Sequence, residues 1–137
     1  MDIFEQLARD EGWKQFPYRD TVQGDTTIGC GFNLTTVGLY DEEIHFIQEN
    51  RVGKVIHTLE ARLPWYPNID PVRQAVLQNM GYNLGFNGLE KFENMLHAFA
   101  QGDWQTAADE MLNSAWSSQV GARAQRLAEQ IRTGEWV

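Results

Sequence analysis

The stretch EGWKQFPYRDTVQGDTTIGCG, Glu11 to Gly31, sets a glutamate, then Asp20, then the pair Thr26 and Thr27 around one glycine-punctuated turn. Immediately before it, Ile3, Phe4, Leu7 and Ala8 fall at helical spacing and Gly12 supplies a stop, so Glu11 sits at the end of a first helix. Inside it, Pro17, Gly24, Gly29 and Gly31 divide short runs, which predicts a small β-hairpin or meander over residues 16–34. A helix end and a hairpin rim can bring two carboxylates to opposite walls of one cleft.

Taken singly, each acid has an ordinary explanation. Glu11 reads as a solvated helix-terminal residue, and Asp20 as a turn residue bonding its own backbone. Taken together they are the minimum apparatus for glycoside hydrolysis, in which one carboxyl protonates the leaving oxygen and the other stays ionised. The two roles need different surroundings. Glu11 is followed by Trp13 and Phe16, whereas Asp20 stands among Arg19, Thr21 and Gln23.

Outward from this stretch the chain is helical. YDEEIHFIQENRVGKVIHTLEARL carries Ile44, Ile47, Val52, Val55, Ile56, Leu59 and Leu63, a connecting helix over about 41–63 that Gly53 weakens and can break. PWYPNID is a proline-rich connection. Asp70 then caps a helix with Pro71 in its first turn, a run expected to stop near Gly85. FNGLEKFENMLHAFAQG predicts a further helix ending at Gly102, DWQTAADEMLNSAW one capped by Asp103, and VGARAQRLAEQIRTGEWV a last one ending at Gly134. The expectation is an α+β chain forming one domain over 1–137, with a small β-containing lobe at about 1–40 and a helical lobe at about 70–137.

With 137 residues, a core can form without staples. The single cysteine, Cys30, closes no internal disulfide. A net charge of −8 argues against a nucleic-acid partner, which selects basic surfaces. MDIFEQLARDEG has no apolar run suited to a signal peptide and no window suits a membrane span, so synthesis in the cytoplasm is expected. Five tryptophans point to buried anchors or to a stacking surface for a ligand; for Trp104, Trp116 and Trp136 the expectation is helical core. His45, His57 and His97 lack the spacing of a metal site, and no cofactor motif is present.

IFEQLARDEG followed by YRDT and TIGCG resembles the phage-type lysozymes, the muramidase endolysins of T-even phage kind. The likeness continues in order through VRQAVLQNMGYNLG, FENML, AADEML, SAW and RAQRL…IRTGEW, and only residues 33–65 look shorter than in that family. The resemblance implies a lysozyme-like fold and a hydrolase that cuts the β-1,4 bond between N-acetylmuramic acid and N-acetylglucosamine in peptidoglycan. It implies Glu11 as general acid, Asp20 as the opposite carboxylate and a threonine that holds the attacking water. Inverting enzymes of this kind keep their carboxyls about 6.5–9.5 Å apart to admit that water.

Family spacing from Asp20 selects Thr26, whereas the T-I-G of the following strand selects Thr27, the preferred assignment. Neighbouring strand residues face opposite sides, so only one of them can serve. Asn33, Tyr82 and Asn83 are implied as substrate-binding, although Tyr82 and Asn83 also read as a polar pair at a helix end. Arg123 resembles the arginine that reaches toward the catalytic glutamate, and Arg126 the one that anchors the preceding aspartate, here Asp10. The ordinary alternative for both is a solvated helix face.

The family further implies a monomer that does not insert in membranes and is released to the wall by a separate holin-type protein. Phe32 stands where many members have histidine, so an ion pair formed there should be absent. The charge of −8 is a second departure, since an anionic, teichoic-acid-rich wall would repel it; thin Gram-negative peptidoglycan suits it better. Two other readings stay open: a lytic transglycosylase using Glu11 without Asp20, and a non-catalytic module that binds peptidoglycan or protein.

Overall fold

Asp2 begins the first helix by a reciprocal cap. Its Oδ1 accepts from the Glu5 amide at 2.9 Å while Glu5 Oε2 accepts from the Asp2 amide at 3.0 Å. In the computed structural model, which describes all 137 residues, this helix is α1 (Ile3–Glu11). It is followed by β1 (Lys14–Arg19), β2 (Thr26–Gly29) and β3 (Phe32–Asn33), an antiparallel sheet in the order β1-β2-β3. The expected meander is therefore present and begins two residues earlier than predicted. Pro17 is tolerated because β1 is an edge strand whose register is irregular between Lys14 and Tyr18.

The remaining elements are α2 (Asp41–Arg62), a 3₁₀ turn at Tyr66–Asn68, α3 (Pro71–Leu89), α4 (Glu93–Gln101), α5 (Trp104–Leu112), α6 (Ala115–Val120) and α7 (Ala122–Thr133). Mixed helix and small antiparallel sheet make the fold α+β and lysozyme-like. No helix is long and apolar enough to cross a membrane. The chain divides into two compact units, Met1–Ile47 and Gln48–Val137.

In the first unit, the one buried residue is Thr27, at 5% exposure. Its order comes from caps, turns and the three-strand ladder. In the second unit the core is apolar and dense. Leu59, Tyr66, Leu77, Met80, Leu89, Met95, Phe99, Met111 and Ile131 are essentially inaccessible. Helices α5 and α7 are neighbours, and the small residues Ala107, Ala108, Ala124 and Ala128 are wholly buried there.

Helix ends follow the local chemistry. Asp70 Oδ2 accepts from the Arg73 amide at 3.0 Å with Pro71 in the first turn, and Asp103 caps α5 on the Thr106 amide. Gly102 and Gly134 close α4 and α7 in the left-handed conformation. Arg73 ties this unit together: Nε donates to the Ile131 carbonyl at 2.7 Å, Nη2 to that of Arg132 at 3.1 Å and Nη1 to Asp70 Oδ1 at 3.0 Å. Its guanidinium also lies 4.2 Å from the centre of the Trp104 ring.

Three expectations are corrected. Helix α2 runs unbroken through Gly53, because a glycine weakens a helix by only about 1 kcal/mol relative to alanine and 22 residues of helix absorb it. The run from Phe86 to Gln101 is not one helix. Gly85 takes φ 71 and ψ 164, a kink only glycine adopts freely, helix resumes to Leu89, and the chain breaks again before Glu93. There the Phe92 ring meets Trp116 edge-on at 6.2 Å. Finally, Trp136 lies beyond the Gly134 cap and is 71% exposed, while Trp104 and Trp116 pack as expected.

Candidate functional site

The candidate residues fall in both units. In the first, β-register settles which side chains share a face. Tyr18 pairs with Thr27 and Thr27 with Asn33, so these three form one row across the sheet. Arg19 with Thr26, and Ile28 with Phe32, belong to the opposite face. Asp20 leaves β1 two residues after Tyr18 and Asp25 enters β2 two residues before Thr27, so both belong to the face of Thr27. Their backbones are still joined, the Asp20 amide donating to the Asp25 carbonyl at 2.8 Å.

The Asp20 carboxylate is folded back on its own turn. Oδ1 accepts from the Val22 amide at 2.7 Å and the Gln23 amide at 3.0 Å. These two bonds, Gln23 first, hold its pKa below the ordinary carboxylate value, so the group stays ionised. Thr27 Oγ1 donates to the Asp25 carbonyl over a long 3.5 Å. Thr26 is exposed, and its amide donates to Thr35 Oγ1 at 2.9 Å.

Glu11 is exposed at the end of α1, and its carboxyl lies against Gly31. A Cβ built on Gly31 would stand 2.8 Å from Glu11 Oε2 and 3.1 Å from Glu11 Cβ. Any other residue there would push the Glu11 side chain aside and strain a backbone at φ +72. Asp10 pairs with Arg9, Nε to Oδ1 at 2.7 Å.

Asn33 is committed to its surroundings. Its Oδ1 accepts from the Thr35 and Thr36 amides at 3.0 and 2.9 Å, and Nδ2 donates to Asp25 Oδ2 at 2.9 Å. One amide hydrogen is left for any other partner. Asp25 was not singled out by the sequence reading, because an aspartate after glycine reads as an ordinary turn residue.

In the second unit, Tyr82, Asn79, Gln78, Ala75 and Arg123, with Gln48 and Val52 of α2, line a groove of about 250 Å³. Arg123 Nε donates to Asn79 Oδ1 at 2.8 Å and Nη2 to the Asn79 carbonyl at 3.3 Å. Asn83 Oδ1 accepts from the Trp116 indole at 2.8 Å, which leaves its amide hydrogens free. Gln48, Gln78 and Asn79 were missed. The i, i+3, i+4 set Asn79–Tyr82–Asn83 on α3 was the available signal. No group of histidine, cysteine or acidic side chains is arranged to hold a metal ion.

The fold is α+β and lysozyme-like. The chain is 30% identical to the pre-baseplate central spike protein Gp5 of Enterobacteria phage T4 over 162 aligned positions, covering 98% of the chain and 28% of that protein. It is 26% and 28% identical to two proteins of Dictyostelium discoideum named probable T4-type lysozyme 2 and 1, covering 95% and 96% of the chain and 93% and 94% of theirs. Over nearly its whole length the chain is thus similar to proteins named T4-type lysozymes. It spans little more than a quarter of the spike protein. The alignments run to 160–162 positions against 137 residues, so each relative carries residues that this chain lacks. No protein-family model matches the chain.

Proposed function

We propose that the chain, acting as one lysozyme domain, is an inverting N-acetylmuramidase that hydrolyses the β-1,4 bond between N-acetylmuramic acid and N-acetylglucosamine in peptidoglycan. The observation that carries this reading is the contact of Glu11 with Gly31, which ties the helix-borne acid to the same sheet unit that bears Asp20 and Thr27. Glu11 donates its proton to the glycosidic oxygen as the bond to the anomeric carbon breaks. A water bonds that carbon from the opposite face, and its proton passes to the Asp20 carboxylate. The backbone donors that lower the Asp20 pKa keep the group anionic, as a carboxylate facing a cationic transition state and holding the water requires. Thr27 orients the water through Oγ1.

Asn33 of the first unit and Tyr82 and Asn83 of the second bind substrate, each with a donor left over from its own contacts, and Arg123 is a supporting residue through its bonds to Asn79. No cofactor takes part. The protein works as a monomer on thin, Gram-negative-type peptidoglycan, reached with the help of a separate holin-type protein. It binds neither nucleic acid nor membrane. The test is digestion of purified peptidoglycan by intact protein, Glu11→Gln and Asp20→Asn. Release by the intact protein alone supports the assignment, and undiminished release by Glu11→Gln contradicts it.

A further inference from the structure

One backbone carbonyl serves both residues that handle the water. The Asp25 oxygen accepts from the Asp20 amide at 2.8 Å and from Thr27 Oγ1 at 3.5 Å. The Asp25 carboxylate is in turn held by Asn33 Nδ2 at 2.9 Å, and Asn33 Oδ1 is fixed by the amides of Thr35 and Thr36. Thr35 closes the circuit, because its Oγ1 accepts from the Thr26 amide at 2.9 Å. The chain from residue 20 to residue 36 is thereby locked by polar bonds, in a unit with no buried apolar side chain to do the same work.

We propose that Asp25 and Asn33 form a side-chain clamp that positions Asp20 and Thr27 for the hydrolytic step. This rests on the muramidase reading above. The clamp has two effects. It holds the Asp20 amide and the Thr27 hydroxyl on one shared acceptor, the Asp25 carbonyl. It also directs the Thr27 hydroxyl hydrogen inward to the Asp25 carbonyl, so that Oγ1 presents lone pairs to a hydrogen of the attacking water. In the clamp Asp25 and Asn33 are positioning residues: the step they support is water attack, so the loss appears in kcat, and for Asp25, which has no part in binding, in kcat alone.

The hydrogen bond has a direction, which makes it testable by exchange. Asn33→Asp sets two carboxylates face to face and breaks the clamp while an oxygen remains for the Thr35 and Thr36 amides. Asp25→Asn combined with Asn33→Asp restores an amide–carboxylate pair with donor and acceptor interchanged. Asp25→Ala deletes the carboxylate and keeps the carbonyl, and serves should Asn33→Asp fail to fold.

The experiment is steady-state cleavage of purified Gram-negative peptidoglycan by these three variants and the intact protein, with thermal melts alongside. The clamp predicts a kcat lower by roughly ten- to a hundredfold for Asn33→Asp and Asp25→Ala, with KM unchanged in Asp25→Ala, and recovery of most of kcat in the exchanged pair. Unaltered kcat in either single variant, or an exchanged pair no better than Asn33→Asp, overturns the clamp and leaves the hydrolase reading standing. An intact protein that cleaves nothing overturns both.

Discussion

Gly31 has no side chain where Glu11 takes the space: a Cβ would come within 2.8 Å of Glu11 Oε2 and 3.1 Å of its Cδ. The turn that ends β2 therefore doubles as the seat of the candidate acid. Gly31→Ala should lose about 1–2 kcal/mol from its left-handed backbone and, by shifting Glu11, slow peptidoglycan cleavage roughly ten- to a hundredfold. Gly38 has nearly the same φ, +71, but nothing within 4 Å of its Cβ position. Gly38→Ala should show the stability loss without the loss of rate, in parallel thermal melts and cleavage assays.

Asp20 makes stability depend on pH in a definite direction. Its folded-state pKa lies below the ordinary value of 3.8 because the Gln23 and Val22 amides bond the ionised form. The unfolded chain therefore binds the proton more readily. The stability contributed by Asp20 is present above that ordinary value and is lost as pH falls through the lower folded value. Asp20→Asn keeps a turn-forming oxygen and removes the titration. In urea unfolding at pH 6.5 and pH 3, the intact protein should lose more stability on acidification than the variant, and equal losses would refute the assignment.

Arg73 binds two carbonyls near the end of α7, the Asp70 cap of α3 and the Trp104 ring with one guanidinium. Arg73→Met leaves the Ile131 and Arg132 carbonyls without their donors and should cost about 2–4 kcal/mol in urea unfolding. Arg73→Lys should recover little, because an ammonium cannot reproduce the planar fork.

The two units should respond differently to truncation. Leu77→Ala opens a cavity in the closed core of the second unit and should cost about 2–5 kcal/mol. Phe4→Ala removes a ring that is 77% exposed and should change stability by no more than about 0.5 kcal/mol, despite deleting the larger side chain.

Caps, stops and the sheet were legible because they depend on residues close in sequence. Asp70 and Asp103 cap helices on amides three residues ahead, and Gly102 and Gly134 end them. The Thr26–Thr27 alternative was narrowed to one residue per face, but its geometry required register, since only pairing with Tyr18 and Asn33 shows which threonine shares the side of Asp20. Long-range partners were not legible. Nothing local tells that Asn33 bonds Asp25 across eight positions or that Arg123 holds Asn79 across 44. Exposure of Trp136 was likewise hidden, because an aromatic past a helix cap reads the same whether or not the chain folds back over it.

The most direct test is mass spectrometry of the fragments released from purified Gram-negative peptidoglycan by the intact protein and by Glu11→Gln. Hydrolysis driven by Glu11 and completed at Asp20 requires muropeptides with reducing N-acetylmuramic acid ends, from the intact protein only. Anhydro ends would show that no water is added and that Asp20 and Thr27 have no part in the step. Retained binding to the wall polymer with no release from either protein would make the chain a binding module and contradict the catalytic assignment altogether.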